Sequence, residues 1–263
     1  MRIGIAQTAP EFGEKARNIA QALDMIETAQ ADLWVLPEFF ATGYQFTSRE
    51  EAKALAEDVR TGETALSLAA FCRERDAHVV AGLPEAAEGT LYNASILVGP
   101  DGVVSSYRKI HLFGDELLYF EPGDRPFSVQ EIGPARVGMM ICFDHLFPES
   151  ARSLALLGAD VIAHPANLIL PDLAQRTMSV RALENGVFTA TANRVGEEAR
   201  SDVVLRYTGR SQIVSPKGEV LARLSPDRPE VAVAEIDPLA ARSKRITSRN
   251  DKLADRRPNL YRL

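Results

Sequence analysis

Short apolar runs alternate with stretches of helical periodicity along almost the whole chain, and that alternation limits the fold more than any other feature. "RIGIAQT" (2–8) reads as a strand, and "EKARNIAQALDMIETAQ" (14–30) places Ile19, Leu23 and Ile26 at helical spacing. "DLWVLPE" (32–38) is a second short strand, running into a proline turn. Strand, helix, strand opens a βαβ unit. A helix over 63–76 and a strand over 77–85 follow, and Cys72 within that helix reads as a buried filler. "LYNASILV" (91–98) and "GVVSSYRK" (102–109) predict a hairpin, because the glycines of the intervening "GPDG" tolerate positive φ.

After a loop rich in charge and glycine (113–126), the order returns. A strand over 135–142 leads to a helix over 148–158, with Pro148 and Glu149 suited to its first turn and Gly158 to the position just past its end. A strand (159–166), a helix (173–185) and strands over 186–194, 210–215, 218–223 and 230–236 complete the set. No linker or low-complexity segment interrupts it. The expectation is one α/β domain over 1–263, with an internal pseudo-repeat and two packed sheets.

Composition excludes several partners. The 263 residues carry a formal net charge of −6, so no general positive field gathers nucleic acid or anionic lipid. No apolar stretch approaches the roughly 20 residues that span a bilayer, and the opening "MRIGIAQTAPEF" lacks the pattern of a signal peptide, so a cytoplasmic location is expected. Two cysteines cannot build a disulfide framework and are not spaced as structural zinc ligands. The four histidines form no H-E-x-x-H, and no glycine-rich phosphate loop is present. No metal or organic cofactor is expected.

Sites in open α/β folds form beyond the carboxyl ends of strands. Four polar residues stand there: Glu38, Lys109, Cys142 and Asn167. A thiolate is an effective nucleophile, a carboxylate can accept the thiol proton, and an ammonium can hold a developing oxyanion. The backbone N–H of Phe143, just after the cysteine, would be a second oxyanion donor, as in a nucleophile elbow. Each residue alone reads more blandly. A strand-end cysteine is commonly an apolar filler, Glu38 and Lys109 could be surface ions, and His145 could serve Cys142 as a base instead.

"LPEFFATGY" (36–44), "YRKIHLFGDE" (107–116), "VGMMICFDHLFPESAR" (137–152), "HPAN" (164–167) and "RALEN" (181–185) together resemble, in order, the blocks of the nitrilase superfamily of carbon–nitrogen hydrolases. "RIGIAQTAP" and "SQIVSPKGEVLA" are similar to its first strand and late hairpin, so the resemblance spans nearly the whole chain. It implies an αββα sandwich of two mixed sheets flanked by helices, and a homodimer to which the tail (about 240–263) reaches across. It implies Glu38 as general base, Lys109 as oxyanion holder, Cys142 as nucleophile and Glu116 as the residue orienting Lys109. Phe143, Tyr44, His145 and Asn167 would surround the substrate, while Arg181 and Glu184 would be scaffold.

The departures narrow the substrate. Aromatic nitrilases of the family usually carry Trp-Glu after the cysteine, whereas this chain has Phe143 and Asp144, which leans toward an amidase. Amidases of ω-amides of dicarboxylic acids show an arginine where Leu146 stands, so a free carboxylate is not expected there. Phe143, Leu146, Leu168 and Leu170 point to a small, mostly neutral pocket. The expected reaction is hydrolysis of a small aliphatic amide through a Cys142 thioester. An aliphatic nitrilase is the alternative and an N-carbamoyl amidohydrolase the third. A catalytically silent binding subunit is the non-enzymatic reading, and the intact set of Glu38, Lys109, Cys142 and Glu116 speaks against it.

Overall fold

The computed structural model describes residues 1–261. Strand β1 (Arg2–Gln7), helix α1 (Lys15–Glu27) and strand β2 (Leu33–Val35) form the opening βαβ unit. Helices α2 (Arg49–Leu55) and α3 (Glu63–Arg75) lead to β3 (His78–Ala87), β4 (Thr90–Gly99) and β5 (Gly102–Arg108). The 113–126 loop contains the one-turn helix α4 (Glu116–Tyr119), followed by β6 (Val129–Ile132) and β7 (Ala135–Met139). A 3₁₀ turn over Cys142–Leu146 precedes α5 (Pro148–Leu156), β8 (Val161–Pro165), α6 (Leu173–Asn185) and β9 (Phe188–Ala192). The short pair β10 (Glu197–Glu198) and β11 (Leu205–Arg206) comes before β12 (Gln212–Val214), β13 (Val220–Arg223) and β14 (Glu230–Glu235).

Two six-stranded mixed sheets result, ordered β14-β1-β2-β3-β4-β5 and β13-β12-β9-β8-β7-β6. In each, three parallel strands are flanked by antiparallel neighbours, which is the expected pseudo-repeat. Alternation along the strands explains the layers. Ile3, Ile5, Leu33 and Val35 of the first sheet meet Val137, Met139, Val161 and Ala163 of the second in a central core. On the other face of the first sheet, Ala6, Trp34 and Val79 pack against Ile19, Ile26 and Leu68 of α1 and α3. Ile162 of the second sheet packs with Leu154 of α5 and Met178 of α6. The central strands are therefore covered on both faces, which is why they read as continuous apolar runs.

Several segments depart from the sequence reading, the one-turn helix α4 in the 113–126 loop among them. Strand β6, helix α2 and the β10–β11 pair were not anticipated, being short and without clear periodicity. Strand β7 ends at Met139, before Cys142. The start of the tail lies on its own subunit: Arg242 pairs with Asp160 at 3.0 Å, and Lys244 and Lys252 donate to the Gly186 and Leu183 carbonyls at the C-terminal end of α6. No described helix is long and apolar enough to cross a membrane.

Candidate active site

Loops leaving β2, β5, β7 and β8 converge at one edge of the two sheets. Glu38 leaves β2, and the backbone turns at Phe39, whose φ of 50° lies in the left-handed region. The loop can rest on β3 because Gly82 has no side chain: a Cβ there would come within 2.5 Å of the Glu38 Cα. Lys109 leaves β5, its N–H donating to the Asn93 carbonyl at 2.7 Å. Glu116 enters on α4.

The Lys109 ammonium, fully buried, donates to Glu38 Oε1 at 2.8 Å and to Glu116 Oε1 at 2.7 Å. Asn93 Nδ2 donates to Glu38 Oε1 at 2.7 Å and Glu116 Oε2 at 3.2 Å, and the Tyr44 hydroxyl donates to Glu116 Oε1 at 2.6 Å. Burial alone would favour a neutral amine, but Glu116 and Glu38 hold Lys109 protonated well above the usual lysine range. Burial raises the Glu116 carboxyl against the pull of Lys109, and the same burial, with Glu116 beside it, keeps the Tyr44 phenol protonated. Of the four carboxylate oxygens, Glu38 Oε2 has no hydrogen-bond partner.

Cys142 does not end a strand, contrary to the sequence reading. The Ile141 N–H is taken by the Asp144 carboxylate at 2.9 Å, so the chain leaves the β7 ladder and coils into the 3₁₀ turn. Cys142 then has φ 41°, a conformation that costs a non-glycine residue about 1–3 kcal/mol and is sustained by its surroundings. Those surroundings are specific. Asp144, fully buried, also accepts from the Tyr107 hydroxyl at 2.8 Å and contacts His111 Nδ1 at 2.7 Å. It thereby ties the Cys142 turn to the loop leaving Lys109. Arg181 donates to the carbonyls of His145 and Leu146, each at 3.1 Å, while paired with Glu184 at 2.9 Å. His164 Nε2 lies 2.9 Å from the Cys142 carbonyl.

The Cys142 sulfur lies 3.8 Å from the Asn167 carbonyl. Burial raises its pKa well above the usual thiol range, Glu38 adds to this, and Lys109 opposes it. At rest the group is therefore a neutral thiol, and its proton must leave as it attacks. Phe143 occupies the first turn of the 3₁₀ segment, where backbone N–H groups have no partner within the turn.

Glu38, Lys109, Glu116 and Cys142 are thus brought together as expected, with Tyr44, Phe143, His145 and Asn167 around them. Tyr44 bonds Glu116, and Asn167 Nδ2 donates to the Glu38 carbonyl at 2.8 Å. The His145 ring bonds Thr177 Oγ1 at 2.6 Å rather than the thiol, and burial, then Arg181 and Lys109, lowers its pKa to about 4. A Cys–His pair is not formed. Asn93 and Asp144 were missed. The signals were a lone amide inside the apolar run "LYNASILV" and a carboxylate directly beside the candidate thiol. Among the described residues, no three His, Cys, Asp or Glu side chains cluster as metal ligands.

Cys142 opens into a cavity of about 80 Å³ walled by Phe143, Leu146, Leu168 and Leu170, the four apolar residues singled out in the sequence. At roughly 30 Å³ per water, it holds two or three waters or a small acyl group.

Residues 2–245 match the family model described as Carbon-nitrogen hydrolase. A protein named nitrilase from Pyrococcus abyssi is 48% identical over 264 residues, covering 99% of each chain. An (R)-stereoselective amidase from a Pseudomonas species is 36% identical over 262 residues, covering 98% of this chain and 92% of that one. An amidase from a Nesterenkonia species superposes with a TM-score of 0.82 at 27% identity, covering 99% of this chain and 94% of that one. A variant of the amidase from Nesterenkonia sp. AN1, with a TM-score of 0.82 at 26% identity and covering 99% of this chain and 95% of that one, carries the acetamide moiety of fluoroacetamide covalently on its active-site cysteine. With a family match along nearly its whole length and a relative 48% identical from end to end, this chain belongs to the carbon–nitrogen hydrolases of the nitrilase superfamily and is a hydrolase of carbon–nitrogen bonds.

Proposed function

We propose that the chain hydrolyses small, uncharged aliphatic amides to a carboxylic acid and ammonia through a thioester on Cys142. One observation carries this reading: a thiol on a strained turn opens into a small apolar cavity beside a buried lysine, which two carboxylates hold charged. Glu38, with Oε2 unpartnered, takes the thiol proton as sulfur attacks the amide carbon. Lys109 and the Phe143 N–H hold the oxyanion. Collapse of the tetrahedral intermediate breaks the C–N bond, and Glu38 returns the proton to the leaving nitrogen. Glu38 then takes a proton from water, hydroxide attacks the thioester, and the proton returns to the sulfur as the acid leaves.

A nitrile is the second reading, favoured by the name of the 48% identical relative. The same groups would add the thiol across the C≡N bond, and two waters would then release acid and ammonia. Ammonia release measured in parallel on propionamide, glutaramate, an N-carbamoyl amino acid and fumaronitrile separates the cases. Of these four compounds, propionamide is expected to be turned over best. Turnover of fumaronitrile alone would replace the first reading with the second.

We also propose a homodimer through the outer faces of α5 and α6, where Leu156, Val180 and Leu183 are exposed and Leu156 shares a groove with the exposed Tyr261 of the tail. Light scattering after gel filtration tests it, and a monomer at micromolar concentration would reject it.

A further inference from the structure

The site has a second, larger cavity that an unsubstituted amide does not use. Its volume is about 230 Å³, its floor includes Glu116 and Tyr44, and its walls include Phe46, Phe120, Val203 and Leu205. Phe113 and Ile169 line both this cavity and the smaller one at Cys142, so the two adjoin. Val203 and Leu205 come from the β10–β11 segment. Gln45 holds that segment over the cavity, donating to Ser201 Oγ at 2.9 Å and the Val203 carbonyl at 2.6 Å, and accepting from the Arg200 N–H at 2.7 Å.

The chemistry of the amide decides which part of a substrate faces which cavity. The carbonyl oxygen accepts hydrogen bonds and turns to the donors, Lys109 and the Phe143 N–H. The amide nitrogen donates and turns to the acceptors, the carboxylates of Glu38 and Glu116. The third substituent of the trigonal carbon, the acyl group, is left with the small cavity at Cys142. A group carried on the nitrogen would enter the larger cavity, whose floor is Glu116. Ammonia fills only about the room of one water, roughly 30 Å³.

We propose that this hydrolase, resting on the amide reading above, acts on secondary amides that join a small aliphatic acyl group to an apolar or aromatic amine. The larger cavity is the amine-side subsite. The thiol adds to the carbonyl carbon and the C–N bond breaks. The thiol proton, carried by Glu38, leaves on the nitrogen as a free primary amine. Water then converts the thioester to the acid and restores the thiol.

The test compares propionamide, N-benzylpropionamide and 3-phenylpropionamide, following propionate, benzylamine and ammonia by chromatography. The kcat/KM for N-benzylpropionamide is expected to exceed that for propionamide by about tenfold, and to exceed that for 3-phenylpropionamide, whose bulk lies on the acyl side. Leu205→Trp, which narrows the larger cavity, should lower the ratio of N-benzylpropionamide to propionamide turnover by about tenfold. Val203→Trp, at an exposed position that a large side chain can occupy without disturbing the core, should lower it in the same direction. The subsite assignment is overturned if propionamide is hydrolysed but N-benzylpropionamide is not. Preference for 3-phenylpropionamide, or an unchanged ratio in the folded variants, also overturns it. If no amide is hydrolysed while fumaronitrile is, the amide reading itself fails and the subsite assignment fails with it.

Discussion

In the first sheet β1, β2 and β3 run parallel and β4 and β5 return beside them, and in the second β7, β8 and β9 do the same before β12 and β13. Their polar groups do not repeat. Glu38, Asn93, Lys109, Glu116 and Tyr44 all come from the first half and pair with one another by charge and hydrogen bond, leaving Glu38 Oε2 unpartnered. The second half supplies the Cys142 thiol, with Asn167 and the neutral rings of His145 and His164 around it, and with Asp144 and Arg181 holding its turn. A buried cation needs its counter-ions close by, so all of its partners sit on loops of one half. The thiol needs no such pairing at rest, and only sheet packing brings it to the charges. Contacts such as Asp144 with Tyr107, and Asn167 with the Glu38 carbonyl, fix that approach.

The division can be attacked from both sides. Cys142→Ala should lower turnover by at least about four orders of magnitude, while the thermal midpoint stays near that of the parent. Retained turnover would move the reacting atom out of the second half. Lys109→Met leaves two buried carboxylates without their cation, so a loss of about 3–5 kcal/mol in urea unfolding is expected together with loss of activity. Parental stability in that variant would show that the first-half charges do not depend on one another.

Asp144→Ala probes the join between the halves. It orphans the Tyr107 hydroxyl and the Ile141 N–H, each at about 1–3 kcal/mol, and releases the turn at Cys142. A fall in kcat of about tenfold or more is expected, with KM less affected and with partial recovery in Asp144→Asn. Parental kcat in Asp144→Ala would mean that the turn stands without this carboxylate.

The neutral histidine rings of the second half have a pH signature. Burial, then Arg181 and Lys109, pushes the His145 pKa to about 4, and burial, then His145, pushes that of His164 to about 3, against 6.5 for a free ring. Below pH 6.5 the unfolded chain therefore binds protons that the folded chain refuses. The stability is full above pH 6.5 and falls by up to about 1.4 kcal/mol per pH unit for each ring, levelling off near pH 4 for His145 and near pH 3 for His164. Urea midpoints at pH 7, 6 and 5 measure the slope, and His164→Gln should reduce it, leaving the share of His145 and of His78, whose pKa burial also lowers. A flat profile would place charged rings in the second half.

The smallest expected effect is on specificity. Leu146→Arg puts a guanidinium on the wall of the Cys142 cavity and should raise glutaramate turnover relative to propionamide by about tenfold. No change would remove Leu146 from the acyl side.

Much of this was legible beforehand because burial leaves a local pattern. Covered strands read as apolar runs, α6 falls on the residues its periodicity predicts, and Pro148 and Gly158 bracket α5. The strand-end rule found Glu38, Lys109, Cys142 and Asn167. Glu116 required the resemblance to known hydrolases, since its loop has no periodicity. Asn93 and Asp144 escaped because their importance lies in partners remote along the chain. The end of β7 escaped because the run "GMMIC" stays apolar past the point where Asp144 captures the Ile141 N–H.

The sequence by itself determined the layered α/β architecture, the chain order of every strand of the two sheets except β6, and the kinds of chemical group at their ends, because each follows from local periodicity and residue type. Only the tertiary structure decided which of those groups meet. It gave Lys109 two carboxylates, bonded Asn167 and Tyr44 to protein partners, turned His145 to Thr177, and coiled Cys142 into a left-handed turn. Such distances and strains arise from packing two sheets against each other, which no single segment of the chain encodes.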